Sequence, residues 1–549
     1  MTEAPVADQT PQTSLDQWRP ARLLGLVLLA PSLIMLVVGY VLPSVATLRE
    51  GLGQPGAFDR LRSVDYFATY GFAGSVLVWP VVTVTGVALV VAYFANRAGW
   101  FARWLVRLTL VLPMVALAPT AFALGWRLDR VDPDAGTAEA LVRSAVGFTM
   151  FGLLVGVGVT LYLATLRHRA QTRPGAATVV VALLAGLTTV AVGLQLYSYP
   201  TVLGSDPESA ATPLVTVVEL GFRQGDLAAG AAAAAVLLAA LAVLGLVTVL
   251  LAIVTGLRIQ ISPVRREDVP EPGARRRPAA AGTFHGTKAA ARHPEAVLGA
   301  ILSLAVVLAV TLYGLWPWLS RLLQFRSADQ TGQLLLNTWL PPLIGAVIGM
   351  VVAALAGFAI GALRPLGRFS PALLLLFAPW LFVGNGVLSI AEYQRLSDAG
   401  GADGFWSLVP PGWVVVPAVV VFTLLFRGQE PRWRELRQAG TGLGAATVRA
   451  LIGPAMPMFW LVGAVTWLVQ AQSLIWNQVT AAPDQQSGPL AALRHQQELA
   501  AAQAEPAIGL VLPFVVILAF AGGLALLQLT YLDRLTIRVG RAEPAPPVP

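Results

Sequence analysis

The chain has 549 residues, 56% of them hydrophobic and 12% charged, with a mean hydropathy of +0.70. One soluble core cannot hide that much apolar surface, so a bilayer must take up the rest. The net charge of +8 would point to nucleic acid in a soluble protein, but here the basic residues lie in short segments between apolar runs, as at the cytoplasmic face of a membrane. Cysteine is absent, which excludes disulfides, thiolate metal sites and a cysteine nucleophile. Arginine dominates the basic residues and Lys288 is the only lysine.

A hydrocarbon core of about 30 Å takes roughly 20 apolar residues in helical form. Twelve such runs are predicted in chain order. The first six run from Leu23 to Leu48, Gly71 to Asn96, Trp104 to Trp126, Leu141 to Leu166, Ala176 to Tyr199 and Leu227 to Leu257. The next six run from Ala296 to Leu319, Leu334 to Leu363, Pro371 to Ala391, Gly412 to Phe426, Leu451 to Trp476 and Ile508 to Tyr531. The expected fold is an all-α polytopic membrane protein of about twelve transmembrane helices. The predicted divisions are a tail (1–22), a first six-helix half (23–257), a linker (258–294), a second half (295–533) and a tail (534–549). The N-terminal stretch is polar, with Asp8 and Asp16, and the first apolar run is too long for a signal core, so it is expected to remain as a span. The segment from Arg258 to Pro294 is rich in Pro, Ala, Gly and Arg without apolar periodicity and reads as a disordered basic linker.

Cytoplasmic loops retain positive charge during insertion. With the N-terminus inside, the inner segments hold Arg19, Arg22, Arg97, Arg103, Arg107, Arg167, Arg169 and Arg173, then the basic linker. Beyond it they hold Arg364, Arg368, Arg427, Arg432, Arg434, Arg437, Arg449, Arg534, Arg538 and Arg541, so both termini are expected in the cytoplasm. Six spans per half make both halves enter the membrane in the same direction, as in parallel repeats. One internal register supports this, since Gly71 to Pro113 and Asn337 to Pro379 cover the same interval and the same order of helix, arginine turn and proline kink.

Ion-driven transport needs ionisable groups near the midplane, where each costs about 2.5 to 3.5 kcal/mol. None falls in the middle of a predicted span, and Glu392 stands at a span edge. The polar groups inside are neutral: Gln195, Asn337, Asn385, Gln470, Gln472 and Asn477. Amides, hydroxyls and aromatic rings suit a neutral polyhydroxylated ligand, and the absence of a proton relay points to an energy source in a partner, with sodium coupling through backbone carbonyls as the alternative.

Several stretches in the two halves form a recognisable series. In the first half these are Ala30-Pro31-Ser32-Leu33-Ile34 through Leu42-Pro43, and Phe94-Ala95-Asn96-Arg97 with Arg107, Val111-Leu112-Pro113 and Gly125-Trp126-Arg127. Tyr199 to Pro207, Ala211-Thr212 and the run from Glu219 to Asp226 complete that half. In the second half they are Asn337, Glu435, Pro454, Pro457 and Ile475-Trp476-Asn477. Together these stretches resemble the membrane subunits of bacterial ABC importers of the maltose type, whose coupling loop opens with Glu-Ala-Ala, carries Asp-Gly-Ala and ends in Leu-Pro. Glu435 and Pro454 keep its length, while Leu436 and Arg437 replace the alanines and Gly440 stands for the aspartate. The corresponding loop of the first half is reduced to Arg167–Arg173 and has no glutamate.

The resemblance implies a type-1 permease with both halves fused, itself not an enzyme. Its partners would be a cytoplasmic ATP-binding subunit dimer, an extracellular solute-binding lipoprotein and membrane lipid, with no nucleic acid, metal or cofactor. It places the chain in the bacterial cytoplasmic membrane. Glu435, Gly440 and Pro454 would form the ATPase-coupling loop, and Asn337, Asn385, Trp476 and Asn477 are candidates for the solute pathway.

Plainer roles stand beside these. Glu435 could be a solvated charge, Trp476 an interfacial anchor, and Asn337 and Asn385 bonds to a neighbouring helix. Pro31, Pro43, Pro113 and Pro379 read as kinks, and the Gly and Ala series from Gly225 to Gly245 as close packing. The basic linker reads as a topology signal before a lipid site. His168, His285, His293 and His495 have no metal spacing. Two alternative functions are a permease-like scaffold without transport and a polytopic glycosyltransferase using Asp59, Asp65, Asp129, Asp132 and Asp134.

Overall fold

A computed structural model describes residues 19–116, 119–130, 138–166, 174–203, 210–261, 294–323, 331–400, 405–481, 485–494 and 511–540. Most of the linker, the Arg167–Arg173 loop, the four histidines, Lys288, Asp132, Asp134 and both tails up to Trp18 and from Arg541 lie outside these residues. The described chain is mostly helical. Eight of its helices are long and apolar enough to cross a membrane. They are Arg22–Gly53, Ala68–Ala98, Gly175–Leu194, Leu227–Val254, Pro294–Leu319, Gly332–Leu363, Leu443–Ala471 and Phe514–Arg534. The bent pairs Trp100–Val115 with Pro119–Leu128, and Ala138–Thr149 with Phe151–Leu166, raise the number to ten. Large apolar side chains such as Val254 and Val515, each 75% exposed, stand on the outside of these helices, where only lipid can cover them.

Two predicted spans take another form. Pro371 to Ala391 is not an α-helix: a 3-10 helix covers Gly367–Leu376, another covers Ala378–Trp380, and turns lead to the helix Ser389–Asp398. Pro371 and Pro379 have no N–H to give, and Gly384 and Gly386 follow within a few residues, so a continuous α-ladder has no support here. The predicted span Gly412 to Phe426 starts later, at Val416, and continues as one helix to Gln438, well beyond its apolar part. Gly412 itself has φ +80 and lies before the helix.

The buried apolar residues form two large cores that are layers stacked along the helix axes, and both halves of the sequence contribute to each. Along Ala68–Ala98, Ala73 and Val76 belong to the first core and Ala88, Val91 and Ala92 to the second. Leu227–Val254 runs the same way, from Ala229 to Val249. Pro294–Leu319 and Leu443–Ala471 run in reverse, from Leu304 to Trp318 and from Ala446 to Leu468. The arginine-bearing turns adjoin the second core, as with Arg107 beside Val106, Arg434 beside Trp433 and Arg534 beside Leu532.

Small residues allow close approach where spans cross. Ala231, Ala232, Ala233 and Ala234 are fully buried, and Gly51 lies against the backbone of Ala232. Gly245 faces the carbonyl of Ala378, so the 3-10 stretch packs directly on Leu227–Val254. The expected packing role of the Gly225–Gly245 series is what the helix carries out.

One feature is not helical. Residues Arg258–Ile261 (β1), placed by sequence in the disordered linker, pair antiparallel with Leu535–Arg538 (β2). The register sets Ile259 opposite Ile537. The linker therefore begins with ordered strand, and the segment after the last span is the other strand of the ribbon.

Candidate functional site

Glu435 belongs to the last turns of the helix Val416–Gln438, and that helix is fastened on several sides before it reaches Glu435. Gly428 abuts the carbonyl of Ile259 in the ribbon, and Gln429 Nε2 donates to the Ile261 carbonyl at 3.5 Å. Glu430, 4% exposed, takes Arg364 at 2.8 Å and Arg434 on its own helix. Trp433 Nε1 donates to Thr447 Oγ1 at 3.2 Å, tying the helix to the one that follows. Glu435 then points to solvent and makes no ion pair among the described residues.

The turn after it is a glycine helix cap. Gly440 has φ +81, its N–H donates to the Arg437 carbonyl at 3.2 Å, and the Thr441 N–H donates to the Leu436 carbonyl at 3.0 Å. This pair of bonds satisfies the last carbonyls and requires the left-handed conformation that glycine adopts without strain. The next helix starts at Leu443, so Glu435 and Gly440 sit at the tip of a helical hairpin. Pro454 lies further down its second arm, just after a π-helical turn, Val448–Ile452, and its carbonyl accepts from the Tyr531 hydroxyl at 2.7 Å. Glu435 and Gly440 are thus brought together, while Pro454 serves the join to the last helix.

At the opposite end most of the buried polar groups are neutral. Asn337, 3% exposed, accepts from Gln333 Nε2 at 3.0 Å and donates to the Gln486 carbonyl at 3.5 Å. Thr338 Oγ1 accepts from the Gly488 N–H at 2.7 Å. Gln472, also buried, donates to the Val511 carbonyl at 2.9 Å, and its own carbonyl accepts from Thr120 Oγ1 at 3.4 Å. The Tyr197 hydroxyl donates to Gln478 Oε1 at 2.7 Å. Trp476 is 2% exposed and donates to the Ser407 carbonyl at 3.0 Å, so it is a buried strut and not an interfacial anchor. Asn477 donates to the Ser473 carbonyl within its own helix. Asn337 likewise bonds its own helix and a loop, where the sequence pointed to a neighbouring helix.

Asn385 lies in the turns after the 3-10 stretch, next to Gly386, which packs on Ile475 and Leu214. Gln195 holds this irregular backbone. Its Nε2 donates to the Phe382 carbonyl at 2.7 Å and its Oε1 accepts from the Gly384 N–H at 2.8 Å. A side-chain amide thereby supplies what a helix would have supplied, as non-helical backbone at membrane depth needs. On the following helix Glu392 is 1% exposed and paired with Arg395 at 2.5 Å. Burial pushes its carboxyl up to about 7, against the opposing pull of Arg395. Of the aspartates considered for glycosyl transfer, Asp59 is exposed beside Arg62 at 3.9 Å and Asp65 sits in a turn with φ +48.

The ribbon, the Glu430 pairing and the Thr120 and Gln478 bonds escaped the sequence reading. Only the ribbon left a readable trace, the alternation Leu257, Ile259, Ile261 and Leu535, Ile537, Val539. Among the described residues no three His, Asp or Glu side chains converge on a metal-sized site. Compared with known proteins, the chain matches no family model, no curated protein and no solved structure.

Proposed function

We propose that the chain is the membrane pathway of an ATP-driven importer of a neutral polar solute, with both permease halves fused in one polypeptide. The observation that carries this reading is the helical hairpin, whose tip offers an unpaired, exposed Glu435 at the arginine-rich end of the molecule. A cytoplasmic ATPase dimer docks there through a basic partner to Glu435. A charge pair of this kind sets register and specificity more than affinity.

Three further features support the reading. Charged residues in the eight long helices stay near their ends, as Arg22, Arg97, Glu295, Arg449 and Asp533 do, so none of these eight carries an ion-coupling group at its middle. The alternation between the two cores extends through the 3-10 stretch, which runs from Leu374 in the second core to Val383 in the first. At about 2.0 Å per residue, the stretch Gly367–Trp380 covers roughly 28 Å, close to a hydrocarbon thickness. Counting it and Val416–Gln438 makes twelve crossings in two sets of six. The two ribbon strands follow the sixth crossing of each set, and their antiparallel pairing is compatible with a two-fold relation between the halves.

With arginine inside, the hairpin and ribbon face the cytoplasm of a bacterial cell and both termini lie on that side. The buried amide and hydroxyl network then faces outward and suits a carbohydrate-like solute delivered by an extracellular binding lipoprotein.

Co-purification tests the assignment. The tagged chain drawn from its own membranes brings an ATPase with it, and Glu435→Lys releases that subunit. Vesicles containing the chain alone that accumulate solute under an ion gradient without nucleotide would overturn it.

A further inference from the structure

The fused chain keeps a coupling hairpin in its second half, while the equivalent first-half loop is a short arginine segment without a glutamate. A push on one hairpin must still move both halves if access is to alternate. We infer that the β1–β2 ribbon is the linkage that carries motion of the Glu435 hairpin into the first half. The inference rests on the proposed function for its biological meaning and on packing for its substance.

The contacts run in an unbroken series. The hairpin helix Val416–Gln438 packs along β1, with Gly428 against the Ile259 carbonyl and Gln429 bonded to Ile261. β1 leaves Leu227–Val254, the sixth crossing of the first half, through a turn in which the Leu257 N–H donates to the Ala252 carbonyl at 3.0 Å. Gly540, beyond β2, donates from its N–H to the Thr255 carbonyl at 2.7 Å, closing the ribbon onto the same turn. β2 leaves the last helix, Phe514–Arg534, whose Asp533 is paired with the buried Arg107 at the start of the third span. The hairpin, both sixth helices and the third span are thus joined at one place. Backbone bonds and buried side chains make that joint stiff, and a stiff element is able to carry displacement between sites.

Gly428 is the point at which the linkage can be cut. A side chain there must displace the Ile259 carbonyl, because a Cβ finds no room. Hydrogen exchange on the purified full-length chain reads the effect. Gly428→Val leaves the rest of the hairpin protected, yet amides in 258–261, 535–538 and the end of Leu227–Val254 exchange on the order of tenfold faster, as expected when one cooperative unit loosens. Thr536→Pro, which breaks the ribbon from its other strand without touching the hairpin, reproduces the change in Leu227–Val254. Faster exchange confined to Val416–Gln438 in the first variant, with Leu227–Val254 unchanged in both, would overturn the inference.

A second arm separates this inference from the proposed function. In the co-purified complex, ATP alters exchange at the end of Leu227–Val254 in the wild type. In Thr536→Pro the ATPase stays bound through Glu435 but the ATP-dependent change is lost. Loss of the ATPase from the wild type itself refutes the proposed function and leaves the exchange result on the free chain standing. A bound ATPase with the ATP response intact in Thr536→Pro refutes the linkage.

Discussion

The two ends of the helices are held by different chemistry. The arginine-rich end is fixed by charge and by backbone pairing: Glu430 between Arg364 and Arg434, Arg107 with Asp533, and the β1–β2 ribbon against Gly428. The other end is held by neutral groups, Asn337, Thr338, Gln472, Gln195 and Tyr197, most of which bond to backbone. A buried charge that loses its partner is far more costly than an amide that loses one, because the amide exchanges its bond for water when the site is wetted. Charge therefore suits an end that transmits force in a fixed register. On the proposed function, neutral amides suit an end that opens, fills with water and accepts a solute.

The sharpest way to break the contrast is to remove Glu430. Glu430→Ala strands the half-buried Arg364, which sits at φ +50 just beyond the helix Gly332–Leu363 and has little freedom to turn away. The expected loss is about 4 kcal/mol, within what breaking a buried pair costs. Thermal unfolding in detergent measures it, and a loss below about 1 kcal/mol would mean that water already solvates this end.

Glu392, like the half-buried Arg127 that donates to the Val202 carbonyl, is a charge at the otherwise neutral end, and it predicts a pH dependence. Its carboxyl is raised by burial from an ordinary 4.5 to about 7, so the folded chain favours the protonated form. That contribution is complete below about 4.5 and is lost as pH rises to about 7. Arg395, on the same helix, is the charge acting on it, and it opposes the effect of burial. Stability should fall by roughly 2 to 3 kcal/mol across that window, at about 1.4 kcal/mol per pH unit. Glu392→Gln should flatten the profile, and an unchanged slope in that variant would assign the dependence elsewhere.

Sequence reading succeeds where one local property decides the outcome. Runs such as Leu227 to Leu257 are long enough and apolar enough that no tertiary partner can change their helical state. The ninth segment fails because Pro371 and Pro379 only weaken an α-ladder, as Pro341 and Pro342 do inside the helix Thr331–Phe358, and the 3-10 form depends on Gly245 and Gln195 far away in the chain. β1 is four residues beside an arginine-rich stretch, and its partner strand lies near the far terminus, so no window covers both. Trp476 was given the ordinary place of a membrane tryptophan, and only the Ser407 carbonyl shows it buried. Glu435 and Gly440 were legible as a loop with a kept length; that the loop is a capped hairpin came from the backbone angle at Gly440.

Gly440 gives the smallest effect and the finest test of that hairpin. Gly440 holds a left-handed backbone conformation and has open space around it. With nothing within 4 Å of an added Cβ, substitution there has only a conformational cost. Gly440→Ala should cost about 1 kcal/mol and Gly440→Asn or Gly440→Asp less, because short polar side chains tolerate that backbone better. None of the three should disturb Glu435, which is one helical turn away on an already capped helix. If Gly440→Ala released the ATPase as completely as Glu435→Lys, docking would depend on the exact path of the turn. The charge at 435 would then be only one part of a larger recognition surface.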